Sequence, residues 1–243
     1  MARVVRVVAV TVDERGRGST AAPFYFLACY TKQMKLSRPI IPPLLEDGSL
    51  TDMLEGSLEQ VQVTGDATKY TIQALGIDSV VLDRMSFLQA QLPRIAARDL
   101  IAKQSDFSST LMPDGAFNRV EFINCRMSGV DFSKTSLHDV VFRGCKLDMA
   151  NLRFADIRRV KFIDCTLVET DFLGAMMHDV AFESCTLERV IFDRVKCKQV
   201  DLRTSQLIEL IGWGSLKGVI IDDVQLMSIA PFLAHELGII TKS

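Results

Sequence analysis

The chain has 243 residues, 48% hydrophobic and 24% charged, values that exclude disorder and a collagen-like composition. Twenty-eight Lys and Arg against 30 Asp and Glu leave a net charge of −2, which excludes a strongly basic nucleic-acid binder and a strongly acidic chain alike. The longest apolar run is Ala21–Cys29, less than half of the ~20 residues a membrane-crossing helix needs. Fourteen Phe against three Tyr and one Trp mark a demand for one flat apolar side chain.

Arg3 and Arg6 stand ahead of Val7–Val12 in the manner of an export signal. The apolar run is short and meets Asp13, Glu14 and Arg15 without a small-residue cleavage site, so reduced thiols and a cytoplasmic location are expected. Residues 1–33 fit no pattern and are set apart as an N-terminal extension whose order stays open, with Met34 an alternative start. Pro39, Pro42 and Pro43 predict an extended stretch, and Leu50–Leu58 a short helix, within an N-terminal segment or cap over 34–60.

A repeat occupies 61–217. Val61 and Val63 sit one position out of frame, and Tyr70, Ile72, Leu75 and Ile77 return to it, which predicts an irregular first coil. Leu82–Gln104 admits a rival helical reading through Leu82, Met85, Leu88, Leu92, Ile95 and Leu100. Pro93 in mid-span argues against it, and Pro93 and Pro113 share one place in the repeat.

Steps of five from Phe122 land on Met127, Phe132, Leu137 and Phe142, and continue to Leu207; backwards they reach Leu82. Two residues before each of these centres runs a series of small or β-branched residues. A period of five is neither 3.6 nor 2. It hides a period of twenty: Val120, Val140, Val160, Val180 and Val200; Phe122, Phe142, Phe162 and Phe182; Cys125, Cys145, Cys165 and Cys185. Four pentapeptides therefore make one turn of a solenoid. Coils ~4.8 Å apart give about 6.5 turns and a rod of ~31 Å between Val80 and Leu210.

The frame breaks at Gly212-Trp213-Gly214. Asp222 and Asp223 then precede Leu226, Ile229, Ala230, Leu233 and Leu237, a helical spacing that stops at Gly238. This predicts a C-terminal capping helix, bent at Pro231, within a cap and tail over 218–243.

Ala150-Asn151-Leu152-Arg153-Phe154 and Ala155-Asp156-Ile157-Arg158-Arg159, with the pairs Asp131-Phe132, Asp171-Phe172 and Asp201-Leu202, resemble the repeat of the pentapeptide-repeat proteins. That repeat is a small residue, Asp or Asn, an apolar centre and two variable positions. Val and Cys here stand where the family favours Ala. The resemblance implies an all-β solenoid, a right-handed quadrilateral β-helix, with dimerisation commonly served by the C-terminal helix.

The resemblance also implies one activity, since some members protect or inhibit DNA gyrase as acidic imitations of duplex DNA. A duplex carries one charge per ~1.7 Å, so a ~31 Å imitation needs on the order of 18 uncompensated negative charges. Between Val80 and Leu210, 18 acidic residues face 18 basic ones. DNA mimicry is therefore the second reading. The first is a non-enzymatic scaffold that binds a protein partner, or itself, as a homodimer.

The Cys125/Cys145/Cys165/Cys185 column falls in the inward small-residue series and reads as core. His138 and His178 lie two coils apart, ~10 Å, too far to share a metal. Gly129, Gly144 and Gly174 fall at the last repeat position, where a corner wants a positive φ. No catalytic, metal or cofactor site is expected, and neither nucleic acid nor membrane. Two candidate interfaces remain: the outward apolar Met149, Phe154, Val168 and Leu173, and the favoured C-terminal cap with Leu226, Ile229, Leu233 and Leu237.

Overall fold

The chain divides into two compact units, 1–33 and 34–243. In the computed structural model, the described part of the first is Thr11–Val12 paired antiparallel with Gly18–Ser19. In the second it is residues 34–236 and 238–240. The expectations for the remainder of 1–33, Cys29 included, and for Leu237 lie outside the described residues.

The second unit is the solenoid. Strands pair in parallel with their counterparts twenty residues on, from Gly76↔Ala96 through Ser136↔Asp156 to Met176↔Lys196. Nine strands stack in one row, from Glu46–Asp47 to Lys196–Asp201, which makes about eight turns. The excess over 6.5 comes from coils outside the five-residue frame, including Val61–Asp66 upstream and the Asp201↔Ile220 bridge downstream. The rival helix over Leu82–Gln104 is absent; Gly76–Ser86 and Ala96–Lys103 are strands.

Each coil has four sides. The first carries the centres Phe122, Phe142, Phe162 and Phe182; the second Met127, Leu147, Leu167 and Leu187. The third carries Phe132, Leu152, Phe172 and Phe192; the fourth Phe117, Leu137, Ile157 and Met177. All sixteen are buried, as is the small-residue series beside them. The demand for Phe is met by stacking. Phe122, Phe142, Phe162 and Phe182 form one pile, successive centroids 5.1, 4.9 and 4.7 Å apart with planes within 8°. Phe172 meets Phe162 and Phe182 edge-on at 85° and 89°, an arrangement that sets ring edges against ring faces.

Corners hold the coil closed. Every fifth residue from Lys69 to Glu209 has φ between +49° and +69°, and only Gly129, Gly144 and Gly174 of them are glycine. The left-handed region costs other residues ~1–2 kcal/mol each, so corners have to be over-determined. They are: the Met149 N–H donates to Val168 O on the next coil at 2.7 Å, while the Ala150 N–H closes the turn onto Leu147 O at 3.1 Å.

The acidic residue before a centre serves the same turn. Asp131, Asn151 and Asp171 each accept, through Oδ1, the N–H two residues on, at 2.8, 3.1 and 2.8 Å. Where Gln91 and Leu111 replace the acid, the residue two on is Pro93 or Pro113, which has no N–H to satisfy.

Both ends of the solenoid are covered. Upstream, a helix α1, Leu50–Leu54, starts on the reciprocal caps of Ser49 and Asp52 and buries Met53 under the first coil. It stops short of the expected Leu58, because Gly56 turns the chain at φ +98° and Ser57–Glu59 pairs with Gly76–Asp78. The first coil is irregular as expected: Val63 faces Leu82, nineteen residues on, and Gly65 faces Met85, twenty on. Thr64 thus opposes two residues, which moves Val61 and Val63 out of frame.

Downstream, a helix α2, Asp223–Glu236, runs through Pro231. Asp222 and Gln225 cap each other reciprocally, at 3.0 and 2.8 Å. The Gln225 amide also donates to Leu202 O and Ser205 O, both at 2.7 Å, and so ties the helix to the carbonyls of the last turn.

Burial separates centre from flank. Phe162→Ala removes a ring stacked on both sides and should cost ~3–5 kcal/mol. Arg158→Ala, one position outward, exposed and paired to half-buried Asp156, should cost well under 1 kcal/mol. Chemical denaturation of both variants checks this; equal losses would contradict the inward assignment.

Candidate functional site

The thiol column is core. Cys125, Cys145, Cys165 and Cys185 are buried and free. The S–H groups of Cys125, Cys145 and Cys165 lean on carbonyls of the preceding coil, Cys145 on Phe122 O and Cys165 on Phe142 O at 3.4 Å, and that of Cys185 on Glu183 O of its own coil. Ser205 ends the same column with a stronger bond to Phe182 O at 2.9 Å. The position wants a small donor. Contact with Cys125 and Cys165, together with burial, pushes the Cys145 thiol far above its ordinary range. Burial alone pushes half-buried Cys197 up to about 11.

Three polar residues invisible as a set in the sequence come together on the fourth side. Ser136 Oγ lies 3.2 Å and Asp156 Oδ2 3.6 Å from His138 Nε2. A Ser–His–Asp relay needs the hydroxyl and the carboxylate on opposite ring nitrogens; here both approach the same one. The Arg158 guanidinium also neutralises Asp156 at 2.8 Å. His178 turns instead to Asp179, Nδ1 to Oδ2 3.2 Å. Among the described residues no group of three or more His, Cys, Asp or Glu is placed to hold a metal.

The apolar edge resolves into two ladder pairs at successive corners of the third side. The Met149 N–H donates to Val168 O at 2.7 Å and the Phe154 N–H to Leu173 O at 2.9 Å. Val168 and Leu173 are half-buried, while Met149 and Phe154 are 61% and 56% exposed. Phe154 is nevertheless seated: a Cβ on Gly174, directly above it, would stand 2.6 Å from its ring. The missing side chain at Gly174 is what lets the ring lie flat on the coil.

On the cap, phase matters. Gln225 and Ile229 face the last coil and are buried, so Ile229 belongs to the end-cap and not to a free face. Leu233 is half-buried. Leu226 is exposed, and with it Val224, Met227 and Phe232; Val224 and Met227 show 73% and 71% of their surface.

A further constellation lies on the corner between the fourth and first sides. Asp99, Arg119, Asp139, Arg159 and Asp179 recur every twenty residues, so acid and base alternate along the axis. Arg119 Nε reaches Asp99 Oδ1 at 2.7 Å, and Arg159 Nε and Nη2 clasp Asp139 at 2.8 and 2.7 Å. Burial acts to raise both carboxyls, but the guanidiniums and a backbone N–H from the segment above outweigh it and hold them below the ordinary carboxylate range. The signal was in the sequence, as an alternation of sign along one twenty-residue column.

The stacked thiols should resist maleimide labelling of the native protein and react after denaturation, because the reagent needs an accessible thiolate. Peptide mapping of Cys145 and Cys165 checks this, and fast native labelling of both would put the small-residue series outside.

A family model described as a pentapeptide repeat region matches residues 115–192 and 135–210. No curated protein sequence matches the chain. Among solved structures the chain is similar to trypsin-treated QnrB1, a plasmid-mediated fluoroquinolone resistance protein, with 20% identity over 78% of this chain and 92% of that one, TM-score 0.38. It is also similar to HetL, a pentapeptide repeat protein involved in heterocyst differentiation regulation from the cyanobacterium Nostoc sp. strain PCC 7120. That match has 16% identity over 69% of this chain and 90% of that one, TM-score 0.30. The five-residue frame, the twenty-residue strand register and the family match agree: residues 115–210 are a pentapeptide repeat region.

Proposed function

We propose that the chain is a non-enzymatic cytoplasmic scaffold that binds protein, and that it forms a homodimer through its C-terminal cap. The observation that carries the reading is the division of labour on α2. Gln225 and Ile229 suffice to close the coil end, yet Val224, Leu226, Met227 and Phe232 are left exposed around the same helix, with Val224 and Met227 turned away from the coil. An apolar face of this kind at the end of a solenoid is buried by pairing about a two-fold axis, which closes the assembly at two copies.

The charge geometry weighs against DNA mimicry. Asp78, Asp99, Asp139, Glu169 and Asp171 are each paired with an Arg of the neighbouring coil. These five acids are compensated in place, which weakens a phosphate-like stripe along the solenoid.

Sedimentation equilibrium of the full chain should give a dimer. Val224→Glu/Met227→Glu, which leaves Gln225 and Ile229 untouched, should return it to monomer, while Phe154→Glu should leave the dimer intact. Dimer loss only with Phe154→Glu would move the interface to the third side, and a wild-type monomer at high concentration would overturn self-association. Purified protein should leave gyrase supercoiling unchanged; inhibition would favour mimicry instead.

A further inference from the structure

Residues 34–45 run as irregular chain, bent at Pro43 and Leu44, and 37–40 lies along the corner that carries the Asp–Arg column. Pro39, Pro42 and Pro43 exclude a helix there. Two hydrogen bonds fasten the stretch: the Ser37 N–H donates to Asp139 Oδ1 at 3.2 Å and the Ile40 N–H to Asp99 Oδ1 at 2.9 Å. Asp99 and Asp139 are two coils apart, ~9.6 Å, and three residues of extended chain cover ~10 Å. Segment and column are thus commensurate, one N–H every third residue meeting one carboxylate every second coil. Arg119 and Arg159 hold those carboxylates ionised and in place, so the acceptors are pre-organised.

The ground beside the column offers aliphatic side chains between charged ones. Outward positions of the first side include Ile101, Ile123, Val141 and Ile163, half-buried, where the second side has Asp106, Arg126, Lys146 and Thr166. Leu36, Ile41 and Leu45 of the segment are half-buried too. A cleft of about 520 Å³ opens between residues 34–38 and the first side, where Val141 and Ile163 alternate with Glu121, Arg143, Lys161 and Glu183.

The segment is held lightly. Coil residues are tied to both neighbours, whereas among the described residues 34–45 has two fastening bonds to the column, and Ile40 and Leu44 keep 68% and 88% of their surface in solvent. Such a stretch belongs to the low-stability end of a structure. The column also outruns it: Asp179 continues the forty-residue spacing, and among the described residues no backbone N–H bonds to it.

We propose that this corner is a groove that reads extended polypeptide, that residues 34–45 are its built-in occupant, and that a partner's segment of the same chemistry enters by displacing them. The partner segment is extended, offers backbone N–H groups three residues apart, carries proline between or after them, and presents aliphatic side chains to the first side. This deepens the scaffold reading and rests on it, adding a site on the flank to the one at the cap.

The probe is a fluorescent peptide with the sequence of residues 34–45, titrated into the full chain. Wild type should bind it weakly, because the tethered segment competes at an effective concentration in the millimolar range. Ser37→Pro/Ile40→Pro removes both fastening N–H groups and should bind the peptide at least about tenfold more tightly. Asp99→Ala/Asp139→Ala added to that variant should abolish the gain. A Ser37→Pro/Ile40→Pro chain that melts like wild type and shows no gain, or a gain that survives loss of both Asp, overturns the groove.

Hydrogen exchange on the unaltered protein keeps the test open if the proline variant unfolds. Ser37 and Ile40 amides should exchange at least about 100-fold faster than the Met127 ladder amide, and equal protection overturns displacement. Oligomeric state is read on the same samples. An intact dimer without peptide binding counts against the groove alone, and peptide binding by a monomer counts against the cap alone.

Discussion

The twenty-residue register governs the molecule. Every parallel pairing from Gly76↔Ala96 to Met176↔Lys196 keeps it, so whatever serves at one level is asked for again one coil on. A flat ring is the natural answer on the first side, because strand spacing, ~4.8 Å, is also a stacking distance for aromatic faces. The same register makes non-glycine corners tolerable. At corners such as Met149 and Phe154 the left-handed residue is locked by a ladder bond and an adjacent turn bond, and such corners recur along the axis. The strain is local and the cooperation that offsets it is axial.

A structure repeated along one axis is exposed at its ends and along its corners, and there the sequence departs from the repeat. Gln225 is the clearest case: one amide caps its own helix and ties it to two carbonyls of the last turn, at a residue the repeat frame does not reach. Because Gln225 and Ile229 already close the coil, the exposed apolar residues of α2, Val224 and Met227 above all, need a different reason to be there. The Asp–Arg column is the corner counterpart, a run of paired charges whose acids retain the capacity to accept a backbone N–H.

Inward rows were legible in the sequence because a packed interior admits few substitutes, and in a period of five those few recur visibly at Phe122, Phe142, Phe162 and Phe182. The capping helix was legible as an element, but its phase was not. Leu226 and Ile229 look equivalent by spacing, and only the hydrogen bonds of Gln225 turn Ile229 inward and Leu226 outward. The meeting of Ser136, His138 and Asp156 depends on neighbours twenty residues apart, beyond any local motif. Residues 34–45 showed their prolines and hence extended chain; their path along Asp139 and Asp99 is a tertiary choice no local pattern encodes.

The register itself is open to a direct measurement. Deletion of residues 160–179 removes one whole coil and joins Arg159 to Val180, so like again falls on like. Deletion of residues 160–177 removes two residues fewer and throws every later centre out of its row. Thermal unfolding followed by circular dichroism should show a cooperative β-rich transition for the twenty-residue deletion and its loss for the eighteen-residue one. Equal behaviour of the two variants would contradict an axial register as the basis of the fold.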